Sequence, residues 1–201
     1  MVDSKDVWDK IAPSWDEFRK DVSPIISSFL GKSKGRVLDL GCGSGRNFVT
    51  VKEQKLYAVD FSSEMIKIAT KNAEKMGVES EFFVMEANKL SFDDNYFDSV
   101  LFWAVLHCIK GKKKRNDSFK EIYRVLKHGG RALISTWGRG SHKLKNKDKE
   151  CMMPWSVEGV KQMRYTYIYD VDELKNEIEK IGFEIEKIWE DENINLIVKK
   201  K

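Results

Sequence analysis

The chain has 201 residues, 41% of them hydrophobic and three of them proline, which supplies the core of one packed domain and excludes a disordered chain. Its longest apolar run, Val100 to Leu106, falls far short of the roughly 20 residues a membrane-crossing helix needs, and Met1-Val2-Asp3-Ser4-Lys5 has no secretion-signal core. Net charge is +4, and Cys42, Cys108 and Cys151 follow no metal-ligand spacing, so the expectation is a cytoplasmic protein with reduced thiols and no metal.

Two amphipathic segments come first, Lys5 to Arg19 and Ser23 to Leu30. They predict a helical cap over residues 1–33 that covers the active edge of the sheet behind it. Lys34 to Asp39 reads as a first strand, followed by a glycine turn and a helix from about Gly45. Leu56 to Asp60 is a second strand. Ser62 then caps a helix that presents Met65, Ala69, Ala73 and Met76 on one face and stops at Gly77. Glu81 to Met85 and Phe97 to Trp103 are strands three and four, the latter apolar enough to be buried on both faces. A helix with Phe119, Ile122, Tyr123 and Leu126 inward ends at Gly129-Gly130, and Arg131 to Thr136 is a fifth strand. Residues 138–169 form a lid or insert after it, in which Tyr165, Tyr167 and Tyr169 share one face of an extended segment and read as half-buried packing. Asp170 and Glu173 resemble a capping box before Leu174, Ile178 and Ile181. Phe183 to Trp189 and Ile194 to Val198 close the chain as an antiparallel pair. This alternation predicts a single α/β domain over 1–201: a Rossmann-like, seven-stranded, mostly parallel sheet with an antiparallel last strand and helices on both faces.

The strongest local signal is Asp39-Leu40-Gly41-Cys42-Gly43-Ser44-Gly45. An apolar strand ends in an acid, and alternating glycines then let the backbone approach a ligand closely. Such turns serve dinucleotides and S-adenosylmethionine alike. A dinucleotide fingerprint wants a glycine at position 46, where this chain has Arg46, and an acid at Asp39 would repel a pyrophosphate while suiting a cationic amino group. Asp60, ending the second strand, is placed to accept from ribose hydroxyls, and Glu86 and Ala87 follow the third strand where an adenine would lie.

These residues resemble the class I methyltransferase superfamily, over nearly the whole chain. The resemblance implies S-adenosyl-L-methionine as cofactor, with Asp39, Gly41, Cys42 and Gly43 at its methionine end and Asp60 and Phe61 at the ribose. Glu86, Ala87 and Met65 would then stand at the adenine, with Phe102 or Trp103 flooring the site. For Met65, core packing is an equal alternative. Trp103-Ala104-Val105-Leu106-His107 carries neither the Pro-Pro-aromatic signature of nucleobase amine methylation nor a Pro-Cys for ring carbon. A carboxylate acceptor needs neither, being ionised at neutral pH, and requires a cation to orient it.

A narrower resemblance follows from Trp8-Asp9-Lys10-Ile11-Ala12-Pro13-Ser14-Trp15 leading to Arg19, Ala104 to His107, Ser135-Thr136-Trp137, Met153-Pro154-Trp155 and Arg164-Tyr165. Their order and spacing are similar to the tRNA wobble-uridine carboxymethyl methyltransferases, a domain also found fused to an AlkB-type dioxygenase. The departures are Cys108, where that family shows a second histidine, and Thr166-Tyr167, where it shows an aromatic residue and then histidine. The likeness implies that Arg19, His107, Trp137 and Arg164 line the acceptor site and that the anticodon stem-loop of tRNA is the substrate. It also implies a small zinc-containing activator subunit adding a strand at the apolar edge Glu81 to Met85. Two basic runs, Lys110 to Arg115 and Arg139 to Lys149, fall at the carboxyl ends of strands four and five, where an RNA backbone would need them. A small-molecule methyltransferase acting on a carboxylic acid or quinone-type precursor, and a non-catalytic cofactor- or dinucleotide-binding module, are the competing readings.

Overall fold

The computed structural model describes residues 4–18 and 22–201. Two helices lead, α1 (Ser4–Phe18) and α2 (Pro24–Lys32), followed by β1 (Gly35–Leu40), β2 (Gln54–Asp60), α3 (Ser63–Met76), β3 (Ser80–Val84) and β4 (Phe97–Trp103). A single 3₁₀ turn, Leu106–Cys108, precedes α4 (Lys112–Val125) and β5 (Leu126–Trp137). The chain then forms β6 (Glu150–Val157), β7 (Val160–Tyr167), α5 (Val171–Ile181), β8 (Phe183–Glu190) and β9 (Asn193–Lys200). Seven strands make one sheet in the order β3-β2-β1-β4-β5-β9-β8. Neighbours from β3 to β5 pair in parallel, and β9 runs antiparallel to both β5 and β8. The expected Rossmann-like architecture, with its antiparallel last strand, is the one observed.

Strand alternation decides the two faces. Leu38, Leu40, Val100, Phe102, Ile134 and Leu196 pack with Phe119 and Ile122 of α4 and Leu174 and Ile178 of α5. On the opposite face Val37, Leu101 and Leu133 receive Ile26, Phe29 and Leu30 of α2. Beside them Ala69 and Ala73 of α3 lie over Ala58 and Phe48, the small side chains bringing helix and sheet close together. The α3 boundaries follow from ordinary capping: Ser62 Oγ accepts from Met65 N at 3.1 Å, and Gly77 ends the helix in the left-handed conformation.

Four expectations are corrected. No helix follows the glycine turn; turns and an extended segment link it to β2. The reason is reach. After Gly45 eight residues remain before Gln54. As helix they would rise about 12 Å, too little to return along strands of about 20 Å. Gly129-Gly130 do not end α4, because Leu126 already pairs with Phe97 and β5 starts there. Asp170 precedes α5 without a side-chain capping bond; its carboxylate accepts from Lys149 at 2.9 Å and Arg139 at 3.3 Å instead. Finally, α2 covers a face of the sheet, so α1 alone of the two cap helices reaches the carboxyl edge.

The segment after β5 contains a two-stranded hairpin, β6–β7, closed by Glu158-Gly159 with both φ values positive (48° and 79°). It packs on α1 through Trp155 and Val157. Strand β3 is the sheet edge as expected, with Val84 51% exposed. No helix among the described residues is long and apolar enough to cross a membrane.

Candidate active site

A cleft of about 440 Å³ opens at the carboxyl ends of β1 to β5, the end where parallel sheets present their loops to ligands. Its inner wall is the glycine turn. Gly41 N and Cys42 N both donate to Val59 O, which ties the turn to β2. The glycines have separate reasons. A β-carbon at Gly41 (φ +76°) would overlap the methyls of Val105, so that position is closed by protein packing. At Gly43 (φ +56°) the nearest atom to such a carbon would be Trp15 Nε1 at 3.8 Å, so the backbone there faces open cleft.

Asp60 holds the turn in shape. Its Oδ2 accepts from Gly43 N and its Oδ1 from Ser62 N, both at 2.9 Å. Burial pushes its carboxyl up to about 6, against the pull of those backbone donors. Phe61 and Met65 continue the wall beyond Asp60, and Met65 also packs under Trp8, Ile11 and Ala12 of α1, so its core-packing reading is the one the structure shows. Ala87 borders the cleft. Glu86 stands at its exposed rim, paired with Lys114 at 2.7 Å. Across from them, Trp103 borders the cleft, and Ala104 is forced to a φ of +59° between it and Val105. Trp137 lies parallel to His107, with ring centroids 4.3 Å apart and planes 9° apart, and both border the cleft.

Helix α1 forms the lid side, and its polar anchors fall on α3 and its N-cap. Asp9 Oδ1 accepts from Ser62 Oγ at 2.5 Å and from Glu64 N at 3.3 Å, at the first turn of α3. Asn72 Nδ2 donates both to Asp16 Oδ1 (2.8 Å) and to Ser44 O of the glycine turn (2.9 Å). Trp8 and Trp15, seven residues apart and so on one helix face, border the cleft. That spacing was a readable signal for two site residues that sequence reasoning did not assign. Lys5, Arg46, Lys110 and Lys114 also border the cleft.

The structure separates three expected site residues from this set. Phe102 is fully buried among the α4 and α5 contacts, because its parity on β4 points away from Trp103. Arg164 is 7% exposed, its guanidinium 5.2 to 5.5 Å from the ring centroids of Trp8, Trp15 and Trp155, so it stands behind the tryptophans of the lid. Arg19 lies outside the described residues. Asp39 is 2% exposed and faces a second cavity behind the turn. Neither of its carboxylate oxygens has a hydrogen-bond partner among the described residues. Burial and the nearby Asp60 charge raise its carboxyl to about 7, with Arg46 opposing.

The first basic run is also divided. Arg115 is 2% exposed, packed 3.6 Å from the Tyr167 ring centroid and donating to Ile109 O at 3.2 Å and Tyr165 Oη at 3.3 Å. It knits α4 to β7 and leaves the rim, and the alternating tyrosines are packing, as expected. Lys143, Lys145 and Lys147 remain exposed in the loop after β5, whereas Arg139 and Lys149 are engaged with Asp170. Among the described residues no group of three or more His, Cys, Asp or Glu could hold a metal ion.

A methyltransferase-domain family model matches residues 38–134. The chain is 31% identical over 145 residues to a Xenopus tropicalis protein named tRNA (carboxymethyluridine(34)-5-O)-methyltransferase, covering 71% of this chain and 22% of that one. It is 30% identical over 157 residues to an Encephalitozoon cuniculi protein named as a methyltransferase, covering 74% and 70%. A solved Methanosarcina mazei structure described as a SAM-dependent methyltransferase shares the fold, with a TM-score of 0.72 at 24% identity over 90% of this chain and 98% of that one. The chain spans 22% to 33% of the length of the first curated relatives it matches.

Proposed function

The chain belongs to the class I S-adenosylmethionine-dependent methyltransferases, and from that premise we propose that it esterifies a carboxylate carried on RNA, the carboxymethyl group of the wobble uridine in tRNA. The observation that carries this reading is the acceptor side of the cleft. There the Trp137–His107 stack supplies a flat aromatic wall, and Lys110 and Lys114 reach the rim. A planar base packs against such a wall with about 1–3 kcal/mol of stacking. A carboxylate, with a free pKa near 4, arrives ionised and asks for orientation by a cation rather than for a base. The frog relative's named reaction supports the same assignment.

The residues present fit the cofactor. S-adenosylmethionine supplies, when bound, a methyl group carried on a positively charged sulfur. The open backbone at Gly43 gives its methionine end room beside Gly41 and Cys42. Asp60 keeps lone pairs beyond its two backbone bonds and can accept from sugar hydroxyls. Phe61, Met65 and Ala87 offer apolar surface to the adenine, with Glu86 at the rim. Asp39 acts through its field: buried behind the turn, it makes the cleft negative without touching its contents. Arg164 is a positioning residue that sets the Trp8 and Trp15 rings, and Arg19 is assigned to the acceptor by resemblance.

For the RNA partner, Lys143, Lys145 and Lys147 provide exposed charge next to the end of β5, suited to the backbone of an anticodon stem-loop. The exposed edge of β3 would accommodate a strand from a small zinc-containing activator subunit. The deciding assay is transfer of labelled methyl from S-adenosylmethionine to tRNA lacking the modification, with and without such a subunit, followed by mild alkali. Release of label as methanol is the expected result. Label that goes to small carboxylic acids or quinone precursors and leaves tRNA untouched would replace this reading with the small-molecule one.

A further inference from the structure

Behind the glycine turn, on the far side from the cleft, is a second cavity of about 290 Å³. It lies under the extended segment that replaces the expected helix, bounded by Phe48, Val49 and Val51 of that segment and by Leu56 of β2. At its bottom are two nearly inaccessible polar side chains, Asp39 (2% exposed) and Asn47 (6% exposed). Both carboxylate oxygens of Asp39 and the Oδ1 of Asn47 lack a hydrogen-bond partner among the described residues. Buried side-chain polar atoms are in large majority satisfied, so three orphaned acceptors on one small cavity ask for a donor from outside. The opening carries two exposed acids, Glu79 and Glu53, the latter also ion-paired through one oxygen with Lys34 at 2.9 Å. Among the described residues that border the cavity, every charged one is an acid.

This combination selects a chemistry. The unpartnered buried atoms here are all acceptors, so the ligand must donate to them; the acids ask it to be cationic; the apolar walls ask for an aliphatic body. A divalent metal ion would want about six oxygens, and two side chains at the floor of an apolar cavity do not supply them. A neutral water would satisfy an acceptor but leave the buried charge uncompensated. At about 30 Å³ per water-sized volume, the cavity holds a chain of about ten heavy atoms. We propose that this rear cavity binds an aliphatic di- or triamine, with one ammonium on Asp39 and Asn47 and a second between Glu53 and Glu79. The site is independent of which acceptor the cleft takes. It shares Asp39 with the cleft's electrostatics, so amine at the rear and cationic donor at the front oppose each other, each weakening the other by the same factor.

The test is calorimetric titration of the full chain at fixed ionic strength with 1,4-diaminobutane and spermidine, using butylamine and potassium chloride as controls. The expected result is one saturable site for the polyamines, at least tenfold tighter than butylamine. Glu79→Gln should weaken it about fivefold and Asp39→Asn should remove it. Far-ultraviolet circular dichroism of both variants, whose changes are isosteric, verifies that they fold. Absence of saturable binding, parity with butylamine, or equal binding to Asp39→Asn overturns the proposal. None of these outcomes touches the methyl-transfer assay, so the two readings fail separately.

Discussion

Replacing Asp39 by Asn should make the ligand-free protein more stable. The wild-type carboxylate is buried on a strand, has no hydrogen-bond partner among the described residues, and lies within the field of Asp60. Its pKa is raised from 3.8 to about 7, so the folded state holds the proton more tightly than the unfolded one. The sign follows from linkage: between those two values stability falls as pH rises, and above about 7 the full penalty is present. A shift of about three units at 1.36 kcal/mol each gives about 4 kcal/mol at pH 8, falling below about 2 kcal/mol at pH 5. Urea unfolding of wild type and Asp39→Asn at pH 5, 6.5 and 8, without cofactor, measures it. The variant should gain on the wild type progressively with pH. The same change removes negative field from the cleft, so the sulfonium donor should lose affinity by about tenfold and its neutral-sulfur product by less. A variant less stable at pH 8, or a difference that does not move with pH, would refute a buried, unpaired carboxylate.

The two glycines of the turn should part company. Gly41→Ala drives a methyl into Val105 and should cost about 2–3 kcal/mol in thermal or urea unfolding. Gly43→Ala should cost about 1 kcal/mol for its left-handed backbone and instead lose cofactor binding in titration, because its methyl projects into the cleft. Ser62→Ala removes both the α3 cap and the Asp9 tie, and a loss of about 1–2 kcal/mol in unfolding free energy is expected. Replacing Lys143, Lys145 and Lys147 by Glu should lower kcat/KM for tRNA by more than tenfold near 0.15 M salt. It should also flatten the salt dependence, while cofactor affinity measured by titration stays unchanged.

The sheet was legible because strand parity is a two-valued code. Leu38 and Leu40 had to share one face and Val37 and Asp39 the other, and capping by Ser62 and Gly77 bounded α3. Chain length was the overlooked constraint after Gly45: a familiar pattern suggested a helix where eight residues could only span the sheet extended. Charge and resemblance place Asp39 at the cofactor, and resemblance offers Phe102 as an alternative to Trp103 for its floor, yet parity turns each of them away from the cleft. Arg115 and Arg164 show a different limit. Each is an arginine in a polar-looking stretch whose burial depends on aromatic residues distant in sequence, Tyr167 for one and Trp8, Trp15 and Trp155 for the other. No local pattern encodes that meeting. The strained Ala104 likewise has no signature, since alanine carries no preference for positive φ.

Convergence of the indoles on Arg164 gives the molecule its own optical gauge. Of the six tryptophans, Trp8, Trp15 and Trp155 ring that guanidinium and Trp103 and Trp137 border the cleft, leaving Trp189 alone elsewhere under Lys187. Ultraviolet emission therefore samples the lid and its chamber almost exclusively. A stopped-flow trace of unlabelled protein mixed with cofactor will time the filling of the cleft, and Trp189→Phe will sharpen that record by silencing the single remote emitter.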